Sequence, residues 1–60
     1  METDAVYFAR RASEEQEAAM RAVHLKARQA HLEMAERYKD LASAIDFRDR
    51  FLGLHLAGVA

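Results

Sequence analysis

Apolar positions recur along this chain at helical, not strand, spacing. At 100° per residue, Ala5, Phe8, Ala9, Ala12, Ala19, Met20 and Val23 gather on one side of a helix, with Gln16 among them. Arg10, Glu14, Glu17 and Arg21 gather on the other. An alanine-rich stripe opposed by charge predicts an amphipathic helix over about residues 4–22. Thr3 or Asp4 supplies the oxygen that caps its unpaired first-turn amides. Arg10–Glu14, Arg11–Glu15 and Glu17–Arg21 are i,i+4 pairs that support it along the surface. A second run begins near Lys26, where Ala27, His31, Met34, Tyr38, Leu41 and Ile45 alternate steps of four and three. That is the spacing of a helix seam, and it predicts a helix over about 26–46.

No glycine or proline interrupts residues 4–52, so propensity alone permits one rod. The stripes break phase, however. Leu25 points away from the face that Ala27, Met34 and Tyr38 define, so a turn is expected at about 23–26. With the turn centred there, facing residues have numbers adding to about 49: Phe8 against Leu41 and Ala42, Ala12 against Tyr38, Ala19 against Ala30. The fold class expected is all-α: a single antiparallel two-helix hairpin over residues 1–60. Phe47 and Phe51 would fall on the polar side of an uninterrupted second helix. A change of register is therefore expected near Asp46, followed by a short apolar C-terminal segment, 47–60.

Composition adds the question of stability. Hydrophobic residues make up 52% of the 60, but 13 of them are alanine, and residues 4–46 hold only eleven larger apolar side chains. Ordering each residue opposes folding by roughly 1.5 kcal/mol, and a core this thin offsets that poorly in a monomer. The chain is therefore expected to pair with a second copy as a dimeric four-helix bundle. Its interface residues are Phe8, Met20, His31, Met34, Tyr38, Leu41 and Ile45. Phe47, Phe51, Leu52 and Leu54 form a candidate surface for a separate protein partner.

Charge and chemistry narrow the function. Nine Lys and Arg balance ten Asp and Glu, which leaves no basic field to draw in nucleic acid. Arg10, Arg11, Lys26 and Arg28 on a helical dimer are the residues a weak nucleic-acid surface would use. The chain has no cysteine, so neither a disulfide framework nor a thiolate metal site is available. His24, His31 and His55 share no i,i+3 or i,i+4 spacing, and no metal site is expected. His31 is expected at the seam, half buried and hydrogen-bonded. Glu14, Glu15 and Glu17, like Glu33 and Glu36, read as a solvated, ion-paired face, because two helices enclose no pocket for acid–base work. No catalytic residue and no cofactor is expected. The acidic start and the absence of a long apolar run predict neither a secretory signal nor a membrane span, hence a cytoplasmic protein.

Two segments carry a likeness: Tyr7-Phe8-Ala9-Arg10-Arg11-Ala12 with the glutamates to Glu17, and Ala30-His31-Leu32-Glu33-Met34-Ala35-Glu36-Arg37-Tyr38. Over about residues 5–40 the chain resembles short Ala/Arg-rich helical-hairpin proteins of uncharacterised function from alphaproteobacteria. His24-Leu25 stands where that pattern often places a proline-bearing turn. The resemblance implies a helical hairpin and carries no known activity. The expected role is that of a small non-enzymatic interaction or adaptor protein. It would self-associate through its seam or act as a regulator docking through its C-terminal segment.

Overall fold

A computed structural model describes the backbone of residues 2–59 and the side chains of residues 2–52. It contains two helices, α1 (Asp4–Arg21) and α2 (Leu25–Val59), packed as an antiparallel hairpin. The all-α hairpin read from the periodicity is the architecture observed.

Helix α1 starts where its cap is. Thr3 is extended (φ −73°, ψ 162°), and its Oγ1 accepts a hydrogen bond from the Val6 amide at 3.2 Å. Its carbonyl accepts from the Tyr7 amide at 2.9 Å. Asp4 places a carboxylate in the first turn and Arg21 a guanidinium in the last, both favourable to the helix dipole. Along the exposed side, Arg10 binds Glu14 (3.0 Å) and also grips Glu2 with two nitrogens (2.8 and 3.0 Å). Glu2, before the helix, is thereby held back against it.

The turn is Ala22-Val23-His24, and it works without glycine because no described residue has positive φ. Ala22 leaves the helix in an extended conformation (φ −69°, ψ 129°) that any residue adopts. The freed backbone groups find partners. The Ala22 amide donates to the Ala19 carbonyl at 3.2 Å, and Arg28 Nη2 donates to the Ala22 carbonyl at 3.3 Å. The Arg28 amide donates to the His24 carbonyl at 3.0 Å, which closes the first turn of α2. Val23 is 90% exposed, so the turn leaves its side chain in solvent.

Moving the turn shifts the pairing. Glu15 lies against His31 and Phe8 against Tyr38, and in both pairs the residue numbers add to 46. The expected value near 49 came from centring the turn one to two residues late. Phe8 therefore stacks on Tyr38 instead of meeting Leu41. Between these pairs the seam is made of alanine: Ala12, Ala19 and Ala35 are its buried apolar residues. Alanines let helix axes approach toward the lower end of the usual range of about 8–10 Å. No large side chain is fully buried among the described residues.

Helix α2 does not break at Asp46. It runs 35 residues, about 52 Å at 1.5 Å per residue, against 18 residues for α1, about 27 Å. That accounts for a molecule 54 Å long, 21 Å wide and 10 Å deep. With numbers adding to 46, Asp4 lies opposite Ala42, so α2 beyond Ala42 extends about 25 Å past the end of α1. No helix among the described residues is long and apolar enough to cross a membrane.

Candidate interaction surface

Successive turns of α1 bring Phe8, Ala12, Glu15 and Ala19 to one line. On α2, His31, Ala35, Tyr38 and Ala42 do the same. Glu15 is the exception in this small-residue seam, a carboxylate only 6% exposed. Its Oε2 lies 2.6 Å from His31 Nδ1 across the seam, and its Oε1 accepts from Arg11 Nη2 at 3.1 Å. A carboxylate only accepts, so the imidazole donates from Nδ1. Both carboxylate oxygens are thus satisfied, as burial demands.

Around this node runs a chain of rings and cations. The Arg11 guanidinium lies 5.2 Å from the centre of the Tyr38 ring, and Tyr38 stacks on Phe8 at 6.0 Å and 25°. Phe8 meets Tyr7 edge-on at 5.4 Å and 69°, and Arg10 sits 5.4 Å from the Tyr7 ring centre. Arg11 also binds Glu14 at 3.0 Å, and that bond is the main reason its pKa is raised. At the outer end, the Arg10 guanidinium holds the Glu2 carboxyl below its ordinary value, and Glu2 raises Arg10 in turn.

Glu15 was expected on the solvated face with Glu14 and Glu17, and the structure corrects that reading. Its spacing of three from Ala12 and four from Ala19 puts it in the seam. This signal was present in the sequence but masked by the neighbouring charges. His31 is where the sequence placed it, half buried and hydrogen-bonded. Among the described residues no group of three or more His, Cys, Asp or Glu side chains comes together to hold a metal ion. The node is an internal crosslink between helices.

Two open grooves lie on one side of the hairpin. The first, about 640 Å³, is lined by Gln16, Ala19, Met20, Arg28 and Leu32 near the turn. The second, about 310 Å³, lies between Ala5, Val6 and Ala9 of α1 and Ala42, Ser43 and Asp46 of α2. The side chains expected at an interface divide accordingly. Phe8, His31, Met34, Tyr38 and Ile45 are half buried along the hairpin itself. Met20 is 82% exposed at the rim of the larger groove, and Leu41 is exposed along α2.

Beyond the end of α1, the continued helix puts Phe47 and Phe51 on the side of α2 away from α1. Their rings are nearly parallel, 6.4 Å apart and 15° from coplanar, and Phe47 is 71% exposed. Leu52 is also exposed. Leu54 and His55 lie outside the described side chains. Both phenylalanines do land on the polar side, as an unbroken helix requires. The helix simply continues there, since nothing before Gly53 opposes it. The chain matches no protein-family model, no curated protein and no solved structure.

Proposed function

We propose that this protein is a small non-enzymatic interaction module that pairs with a second copy of itself, two hairpins forming a four-helix assembly. One observation carries the reading. The chain exposes 5028 Å² of surface, whereas a folded monomer of 6.8 kDa is expected to expose about 4000 Å². The excess of about 1000 Å² per copy corresponds to one side of a stable protein–protein interface. Its chemistry agrees, because Met20, Leu32, Leu41 and Leu52 are exposed while the seam buries only alanine and one glutamate. Pairing would cover apolar surface that a single hairpin has no third layer to shield.

A second reading comes from a different feature. The stretch of α2 past Asp46 has no α1 beside it and carries Phe47, Phe51 and Leu52 on its surface. In this reading the extension docks a separate protein and the hairpin serves as its base.

Solution mass by light scattering across a hundredfold dilution, with far-UV circular dichroism on the same samples, separates the two. Self-association gives twice the monomer mass at high concentration, with helicity that falls as the dimer dissociates. A monomer of unchanged mass and full helicity at every concentration would rule it out in favour of the docking extension.

A further inference from the structure

The larger groove and Phe47 fit each other across a dimer axis. Arg28, Leu32, Glu36, Lys39, Ser43 and Phe47 follow one another along α2 in steps of four, four, three, four and four, which keeps them on one side of the helix. The groove, with Arg28, Met20 and Leu32 in its lining, lies at the start of this line. Phe47, 71% exposed, lies at its end.

We infer that Phe47 of one copy seats in the Met20–Arg28–Leu32 groove of a second copy, with the two α2 helices antiparallel and the dyad passing between Glu36 and Lys39. The inference rests on the self-association proposed above and specifies its face and register.

Three observations support this arrangement. First, the occupant and the groove agree in size and chemistry. The groove is floored by Ala19, flanked by the apolar Met20 and Leu32, and its 640 Å³ is ample for an aromatic ring. Arg28 offers a guanidinium against the ring face, a favourable contact where water is excluded. Second, one register satisfies the whole line. Placing Phe47 opposite the partner's Arg28 requires facing residue numbers to add to 75. The same sum places Glu36 opposite the partner's Lys39 and Lys39 opposite the partner's Glu36. Two reciprocal ion pairs then flank the axis, as an isologous interface demands. Third, those charges are available. Among the described residues Glu36 and Lys39, both exposed, make no ion pair, whereas every glutamate and arginine of α1 is already paired in cis. Docking in this register also lays residues 43–50 of α2, which α1 leaves uncovered, against the closed end of the partner's hairpin.

The test uses the full chain and four samples beside wild type: Glu36→Lys, Lys39→Glu, an equimolar mixture of the two, and Phe47→Ser. Dissociation constants come from sedimentation equilibrium, and helicity is followed in parallel. Each charge variant places like charges against each other twice and is expected to weaken the dimer by at least about tenfold. The mixture pairs two lysines with two glutamates and recovers wild-type affinity as a heterodimer. Phe47→Ser, which removes the ring from the groove, is also expected to lose at least about tenfold. Recovery in the mixture shows that the single variants still fold. Charge variants that dimerise as tightly as wild type, or a mixture that fails to recover, overturn the register while the dimer itself stands. A wild-type chain that is monomeric throughout overturns both.

Discussion

At the scale of single residues, the Glu15–His31 contact shows why exposure decides the cost of losing a partner. Glu15 has a side chain only 9% exposed, while that of His31 is 33% exposed. Removing the glutamate leaves an imidazole that reaches water. Removing the histidine leaves a carboxylate oxygen buried without its closest donor. His31→Ala should therefore destabilise the hairpin by about 2–3 kcal/mol, and Glu15→Ala by about 1 kcal/mol, although Glu15→Ala breaks the Arg11 contact as well as the shared bond. Replacing both by leucine removes the desolvation cost altogether and should leave stability equal to wild type or higher. Thermal melts of the two single variants and the leucine pair check this ordering. Equal losses from both alanine variants would mean that water already reaches Glu15. The node was only half legible beforehand. His31 announced itself as the polar member of a regular seam. Glu15 sits between two other glutamates in the chain, and a run of like charges resembles a wet surface unless each position is phased separately.

At the scale of elements, the periodicity located both helices and the phase break between them because both signals are local. The position of the turn and the continuation of α2 depended on something beyond that pattern. The turn uses extended backbone at Ala22 in place of a left-handed residue, so no glycine marks its position. A shift of one to two residues in its centre moved every facing pair by three. The break expected at Asp46 rested on the premise that phenylalanines must turn inward. Helical propensity up to Gly53 is indifferent to where Phe47 and Phe51 point, and the helix carries them outward. The alanine seam has its own consequence. Ala12 is 8% exposed in the seam between the two helices and lines neither groove, so it has room for a methyl group and little more. Ala12→Leu should destabilise the hairpin by about 1–3 kcal/mol through overpacking, whereas Ala9→Leu, on an exposed position of the same helix, should change stability by under about 0.5 kcal/mol. Chemical denaturation of the two variants distinguishes a tightly closed seam from a loose one, in which both would be tolerated.

At the scale of the whole molecule, shape and stability raise the same question. A compact chain of this length has a radius of gyration of roughly 10 Å, and this one has 15.3 Å. Two helices form one layer, and a single layer always leaves an apolar side without cover. Here that side is long, because α2 outruns α1 by about 25 Å. The seam buries alanines, each contributing little area, against an ordering cost of roughly 1.5 kcal/mol per residue. A second hairpin supplies the missing layer, so folding and pairing should be linked, and linkage has a signature that a self-sufficient hairpin lacks. If the dimer is the stable folded species, dilution shifts the equilibrium toward unfolded chains by mass action. The melting temperature followed by circular dichroism should then rise steadily with protein concentration over two decades, and Phe47→Ser should lower it at every concentration. A melting temperature constant at all concentrations would place the stability within one hairpin. The exposed leucines and Phe47 would then be free for a partner of another kind.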